Sequence, residues 1–312
     1  MRTTKPEVSV VFGSFNRRPY LMATLASIRA HDFDGPMEII AVDGGSTDGA
    51  LEYLVSQKDV VTIVQHNRGE WRDKPIARRS WGYFMNLAFK AAQGKFICMI
   101  SDDCLLVPGA IRNGIEAYRE AAATGQLVGA VAFYFSNRPG PDDYYVNTVY
   151  GVLNVNHGLY RREALVAINY ADEDAFAFYN ADSDLCMRMH DAGYAIVDSP
   201  GSFVEHHSHA NEGVRATNEH HMSEDDLRFM ARWGHLDPDR KTWDEVLGRK
   251  KIVFHDPART AKAWEPIDRW KPETHARRFR KASYAVRDRL QVRSRALNLY
   301  KRISGESRKP PS

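Results

Sequence analysis

The sequence lacks several features that would place it in familiar classes of protein. Its apolar runs all fall well short of the roughly 18 residues that a membrane-spanning helix needs. It has three cysteines, Cys98, Cys104 and Cys186, and no Cys-x-x-Cys pair, which argues against a disulfide framework and a cysteine zinc site. We therefore expect a reduced, cytoplasmic protein whose thiols are packed in its core.

Motifs of several common enzyme classes are also missing. The first apolar run is not followed by Gly-x-Gly-x-x-Gly, and the sequence contains neither a phosphate-binding Gly-x-x-x-x-Gly-Lys-[Ser/Thr] loop nor a Gly-x-Ser-x-Gly elbow. These absences disfavour a nicotinamide dehydrogenase, a P-loop nucleoside triphosphatase and an α/β-hydrolase. Because nucleic-acid recognition motifs are absent too, we expect no nucleic-acid partner.

What the sequence does contain is a regular alternation of apolar runs and helical patterns. Short, mostly apolar runs at 8–12, 38–42, 60–64, 95–100 and 128–135 predict strands, with helical spacing of apolar residues between them. One helix is expected from about Pro75 to Gln93, after an irregular polar segment at 65–75. This alternation predicts an α/β fold with a mostly parallel central sheet flanked by helices.

The C-terminal part of the chain differs in composition from the rest. The net charge is only +3, but Lys and Arg far outnumber acidic residues after Arg269. We expect a domain over 1–235, an irregular wrapping segment over 236–272 and a basic helix with a tail over 273–312. This composition predicts a helical C-terminal extension with one of two roles. It either binds the anionic surface at the inner face of the cell membrane, or it packs on the domain and exposes its basic face to solvent.

Candidate site residues follow three of the predicted strands. In an open parallel sheet, ligands bind beyond the carboxyl ends of the strands, where 13–17, 43–49 and 101–103 would converge. The segment that begins with Asp43 and Gly44 is suited to a ligand contact, but it is equally a strong turn former. Asp102 and Asp103 would repel each other unless a cation neutralises them, which favours a divalent ion over a solvated loop.

Two later segments add candidates for catalysis and metal binding. Asp182 and Asp184 open a predicted helix, where an acidic residue is either a general base or a partner of the helix dipole. His206 lies in a Glu-His-His-Ser-His run, which indicates either a metal site or a histidine cluster at the surface. The basic segment 65–81 includes Arg78, which is a candidate diphosphate contact if it is not simply part of a solvated loop.

Together these segments resemble the inverting family-2 glycosyltransferases of the GT-A fold, from about Val8 to His209. The resemblance rests on SVVFGSFNRRPYLMATLASI, EIIAVDGGSTDG, NLAFKAAQGKFICMISDDCLLVPGAI, FYNADSDLCMRMHDAGY and FVEHHSH. It implies transfer of a sugar from a UDP-, GDP- or dTDP-sugar to a hydroxyl of a glycan or lipid-linked acceptor. It also implies a divalent metal, Mn²⁺ or Mg²⁺, as cofactor.

The resemblance also implies roles for individual residues. Asp182 is the implied catalytic base, and Asp103 and His206 are the implied metal ligands. The resemblance places Phe15, Asn16, Asp43 and Asp102 in the donor site, Asp102 at the ribose or the metal. The pattern of the residues themselves adds Arg17, Gly44 and Arg78 as donor-site candidates.

Two departures from the family pattern keep other functions open. Ser101 stands at the first position of the family's Asp-x-Asp, and Ala181 replaces the Glu that precedes the catalytic Asp. Asp184 is therefore a second candidate for the base. A sugar-nucleotide-binding or scaffold protein with a decayed site is one alternative, and a nucleotidyltransferase is another.

Overall fold

The structure is a computed structural model that describes residues 5–30, 33–138, 143–208, 210 and 212–253. The predicted basic helix at 273–312 lies outside these residues. In the part of the chain that is described, no helix is long and apolar enough to cross a membrane.

The described residues alternate strands and helices through the first half of the chain and become strand-rich in the second. The strands are β1 (Val8–Ser14), β2 (Met37–Asp43), β3 (Val60–Val64), β4 (Glu70–Trp71), β5 (Lys74–Pro75), β6 (Phe96–Met99), β7 (Cys104–Leu106), β8 (Val128–Asn137), β9 (Asp143–Val149), β10 (Val152–Leu153), β11 (Gly158–Arg161), β12 (Ala195–His206) and β13 (Leu247–Val253). The helices are α1 (Arg18–Arg29), α2 (Ala50–Ser56), α3 (Trp81–Ala91), α4 (Ala110–Ala123), α5 (Arg162–Ala167), α6 (Ala181–Asp191), α7 (Glu212–Glu219), α8 (Met222–Trp233) and α9 (Trp243–Val246).

One large sheet organises the molecule. Strands β3, β2, β1 and β6 pair in parallel, so their carboxyl ends meet at one edge. Beyond β6 the sheet is mixed: β11 runs antiparallel between β6 and β8, and β12 pairs parallel with β8 and antiparallel with β7. The parallel strands therefore present one edge on which a ligand can bind, and the pairing of β12 with β7 brings His206 beside Cys104.

Helices cover both faces of this sheet. Val10 and Phe12 of β1 belong to one buried apolar cluster with side chains of α1, α2 and α4, whereas Val11 belongs to a second cluster with α3, α5 and α6. This alternation is what a strand buried on both faces requires, because successive side chains point to opposite faces. The predicted α/β architecture is confirmed.

Two predictions about secondary structure are wrong in detail. The helix expected from Pro75 begins at Trp81, since Pro75 lies in the β4–β5 ribbon and Ser80 Oγ caps the helix by accepting the Tyr83 N–H. The segment predicted to be irregular at 236–272 contains a helical turn and the strand β13 within its described part. Strand β13 adds to the sheet beside β9.

Candidate active site

The carboxyl ends of β1, β2 and β6 border a cavity of about 460 Å³. The opposite walls come from the first turns of α3 and α6, from α7, and from the segment between β10 and β11. Residues that sequence reasoning singled out line the cavity together: Phe15, Arg17, Gly44, Arg78, Asp102, Asp103, Asp182 and His206. Asn16 and Asp43 do not line it.

Arg17 forms ion pairs with both aspartates that follow β6. Its Nη1 atom lies 2.8 Å from Asp102 Oδ1 and 3.0 Å from Asp103 Oδ2. Burial raises the pKa of Asp102 to about 6, although the charge of Arg17 opposes this shift. Burial also acts to raise the pKa of Asp103, but Arg17, His206 and His157 together hold that pKa below its usual range. The two acids therefore differ in pKa, and an arginine supplies the positive charge that their proximity demands.

The remaining atoms around Asp103 fit a divalent cation. His206 Nε2 lies 3.5 Å from Asp103 Oδ1, and the ligand atoms of Asp103, Cys104 and His206 all lie within 4.8 Å of one another. Asp102 Oδ2 is buried and has no hydrogen-bond partner among the described residues. Burial lowers the pKa of His206, and its Nδ1 lies 2.8 Å from Asn137 Oδ1. Because Asn137 orients the neutral imidazole, Nε2 faces Asp103 as a metal ligand would.

Asp43 serves its own loop rather than the cavity. Its Oδ1 accepts the N–H groups of Gly45 at 2.8 Å and Ser46 at 2.7 Å, and its Oδ2 accepts the Ser46 hydroxyl at 2.7 Å. Asn16 accepts the Thr47 N–H at 2.7 Å. The turn interpretation of this segment therefore holds for both side chains. Their contacts fix the loop that places Gly44 at the cavity.

A group of arginines lines the cavity apart from the aspartates. Arg78 donates to the Thr217 carbonyl at 2.9 Å and to Asn218 Oδ1, and Arg68 donates to the same Asn218 oxygen at 3.1 Å. Burial and the neighbouring charges of Arg78 and Arg17 lower the pKa of Arg68 to about 10. Neither Arg68 nor Arg78 forms an ion pair with a carboxylate in the described part of the chain. The cavity therefore holds uncompensated positive charge that suits an anionic ligand.

Asp182 lies at the first turn of α6, and both of its carboxylate oxygens accept hydrogen bonds. Its Oδ1 accepts the Ser183 N–H at 2.9 Å, and its Oδ2 accepts from Asn156 Nδ2 at 2.8 Å and Asn154 Nδ2 at 3.4 Å. Burial raises the pKa of Asp182, although these hydrogen bonds oppose the shift. A carboxylate with a raised pKa at the wall of a cavity is suited to accept a proton.

Asp184 is fully buried and holds α6 to α8. One of its oxygens accepts from Arg232 at 2.9 Å and from Trp233 Nε1 at 3.0 Å, and the other accepts from Arg188 at 2.8 Å. It does not line the cavity. The suggestion that Asp184 replaces Asp182 as base is therefore wrong, because its carboxylate is occupied by the packing of two helices.

Sequence reasoning missed Asp225 of α8. Its carboxylate, 1% exposed, accepts the backbone N–H groups of Ala177 at 2.9 Å, Phe178 at 2.9 Å and Tyr179 at 2.8 Å. These residues lead into α6 and line the cavity. The sequence signal was an acidic start to a helix, and Asp225 lies 46 residues beyond Tyr179, so the pattern does not reveal the loop that it holds.

Comparison with known proteins relates the chain to glycosyltransferases. The family model of glycosyl transferase family 2 matches residues 9–162. An uncharacterized glycosyltransferase of Mycobacterium tuberculosis (strain CDC 1551 / Oshkosh), MT1564, is 29% identical over 128 residues, which are 41% of this chain and 45% of that protein. The uncharacterized protein y4gI of Sinorhizobium fredii (strain NBRC 101917 / NGR234) is 23% identical over 244 residues, 69% of this chain and 26% of that protein.

A solved structure supports the fold. The crystal structure of TarS from S. aureus superposes with a TM-score of 0.50 at 17% identity, covering 64% of this chain and 36% of that chain. Residues 9–162 are therefore similar to glycosyl transferase family 2, and the fold of the described residues is of the GT-A type. The chain spans less than half the length of the two curated relatives, so the activity of the whole protein is a matter for proposal.

Proposed function

We propose that this protein transfers a sugar from a nucleoside-diphosphate sugar to a hydroxyl acceptor, with inversion at the anomeric carbon and with the help of a divalent metal. One observation carries the proposal. The carboxylate–histidine cluster, the unpaired arginines and Asp182 all line a single cavity at the carboxyl edge of the parallel strands. Anion binding, cation binding and proton acceptance are thus available in one place.

The donor end of the cavity is the edge formed after β1, β2 and β6. Phe15 and Gly44 line it and would contact the nucleoside, while Arg68 and Arg78 would contact the diphosphate. Asp103 and His206 would hold Mn²⁺ or Mg²⁺, with Asp102 beside them. The metal, when bound, would stabilise the negative charge that develops on the leaving diphosphate.

Asp182 would act as the general base. It would remove the proton from the acceptor hydroxyl while the hydroxyl oxygen forms a bond to the anomeric carbon. The bond from that carbon to the diphosphate breaks, and the nucleoside diphosphate leaves with the electron pair on the opposite face. The raised pKa of Asp182 supports this role, because a base whose conjugate acid is less strong takes up the proton more readily.

A donor screen tests this function. The purified protein is incubated with UDP-, GDP- and dTDP-sugars in Mn²⁺ or in EDTA, and release of the nucleoside diphosphate is measured with and without glycan acceptors. We expect one nucleotide class to be turned over in Mn²⁺, at a rate that falls in EDTA. Binding without turnover would favour the decayed binding protein. Release of pyrophosphate from a nucleoside triphosphate and a sugar phosphate would favour the nucleotidyltransferase.

The proposal also covers the acceptor and the cellular location. A cell-surface glycan or a lipid-linked glycan would be the acceptor, and the protein would be cytoplasmic with its basic segment 273–312 against the inner face of the membrane. Flotation with vesicles containing anionic lipid, for the full chain and a chain without 273–312, tests the last point. Equal flotation of both forms would contradict it.

A further inference from the structure

Three asparagines surround Asp182 on the side of the cavity formed by β9 and the segment after β10. The Asn154 N–H donates to the Asn147 carbonyl at 2.9 Å, so these two residues lie opposite each other in the β9–β10 hairpin. Asn156 follows two residues later. All three side chains line the cavity together with Asp182.

The ionised carboxylate of Asp182 fixes the orientation of each amide. A carboxylate only accepts hydrogen bonds, so Asn156 and Asn154 must both turn their NH₂ groups toward Asp182 Oδ2. The amide oxygen of Asn156 then faces away from Asp182 and accepts from Asn147 Nδ2 at 3.0 Å. The hydrogen bonds therefore form a chain in which Asn147 donates to Asn156 and Asn156 donates to Asp182.

This orientation leaves two acceptors unmatched. The amide oxygens of Asn147 and Asn154 are buried and have no hydrogen-bond partner among the described residues. Asn154 is only 4% exposed. A buried acceptor without a donor is costly, and hydroxyl groups of a ligand would remove the deficit. Beside the base, this wall of the cavity is therefore rich in oxygen acceptors.

We propose that Asn147, Asn154 and Asn156 form a subsite for a sugar ring of the acceptor. Hydroxyl groups of this ring donate hydrogen bonds to the amide oxygens, and one further hydroxyl of the ring faces Asp182. The inference rests on the proposed function and narrows it. A phosphate group is disfavoured here, because it carries the same charge as the Asp182 carboxylate and, when ionised, has no proton to donate to the amide oxygens of Asn147 and Asn154. The attacked group is thus a hydroxyl of a glycan and not the phosphate of a lipid carrier.

Binding experiments on the full-length protein test the subsite. Methyl glycosides of glucose, galactose, mannose and N-acetylglucosamine are titrated by saturation-transfer NMR, with and without nucleoside diphosphate and Mn²⁺, and butyl phosphate is added as competitor. Asn147→Ala and Asn154→Ala are compared with Asn113→Ala, whose side chain bonds the Gly201 carbonyl and does not line the cavity. Asn147→Ser serves if the alanine variant does not fold.

We expect at least one methyl glycoside to bind, and each cavity variant to weaken it about tenfold while nucleotide affinity stays within about twofold. Asn113→Ala should bind like the wild type, and butyl phosphate should not compete. If nucleotide binds but the glycosides do not, or if butyl phosphate displaces them, the subsite is wrong and the donor site stands. If glycosides bind and the variants lose them, but no nucleotide binds, the subsite stands and the proposed transfer is wrong.

Discussion

Arg17 Nη1 lies 2.8 Å from Asp102 Oδ1, so the pair of aspartates that would serve a metal already faces a fixed positive charge. The same nitrogen reaches Asp103 Oδ2 at 3.0 Å, which leaves the other oxygen of each aspartate for a cation. Arg17 therefore offsets the repulsion between two buried carboxylates in the protein without metal. A bound metal would reduce that repulsion further.

Replacing Arg17 tests this balance. In EDTA, we expect Arg17→Leu to lose about 3–5 kcal/mol of unfolding free energy, because a buried charge loses its partner. Mn²⁺ should restore more stability to this variant than to the wild type, as measured by melting temperature. Arg29→Leu, which breaks an exposed pair with Asp59, should cost about 1 kcal/mol or less and show no extra response to Mn²⁺. An equal response to Mn²⁺ in all three proteins would contradict the account.

Asp182 and Asp184 should respond in opposite ways to substitution by asparagine. Asp182→Asn should lower kcat by about 10²–10⁴-fold, because the base is removed, with little change in melting temperature or nucleotide affinity. Asp184→Asn should lower the melting temperature, because it removes charged bonds to Arg188 and Arg232. Steady-state kinetics with thermal unfolding distinguishes them. Normal turnover in folded Asp182→Asn would refute its role as base.

Asp225 should position the loop that precedes α6. Asp225→Ala removes the acceptor of three backbone N–H groups and should cost about 3 kcal/mol or more of unfolding free energy. Because Phe178 and Tyr179 line the cavity, we expect the acceptor KM to rise more than the donor KM. Glu224→Ala is the matched control, because Glu224 is the neighbouring residue and forms its ion pair with exposed Arg228. Equal changes in both KM values would indicate a purely structural role.

His157 should make stability depend on pH. Burial lowers its pKa to about 3 from an ordinary value of 6.5 in the unfolded chain. Between these values the unfolded state binds more protons, so the unfolding free energy falls as the pH drops from about 6.5 toward 3. His157→Phe, measured in EDTA by denaturant unfolding at several pH values, should show a shallower fall. A slope identical to that of the wild type would contradict a buried neutral imidazole.

The sequence predicted the strands because they depend on local periodicity, and it predicted the clustering of their ends because alternating strands and helices favour a parallel sheet. Runs such as 8–12 and 39–42 are buried on both faces, which leaves a mostly apolar pattern. The convergence of Arg17, Gly44 and Asp103 follows from the parallel order of β1, β2 and β6 alone.

Other features depend on contacts that no local pattern contains. A turn at Asp43 and a ligand contact at Asp43 call for the same residue types, so the sequence could not decide between them. The hydrogen bonds that Asp43 accepts from Gly45 and Ser46 favour the turn. The contact of Asp184 with Trp233 and that of Asp225 with the 177–179 backbone join segments more than 40 residues apart. Neither pairing could be read from one sequence.

The most direct test of the central claim is the melting temperature of the wild type and of Asp103→Asn with UDP, GDP, dTDP or CDP, each in Mn²⁺ and in EDTA. A ligand at 100 times its Kd adds about 2.7 kcal/mol, which shifts melting by a few degrees. We predict that one nucleotide raises the melting temperature of the wild type in Mn²⁺, and that EDTA or Asp103→Asn removes most of the rise. No shift with any nucleotide, or a shift unaffected by both changes, would contradict a metal-assisted nucleotide-sugar site.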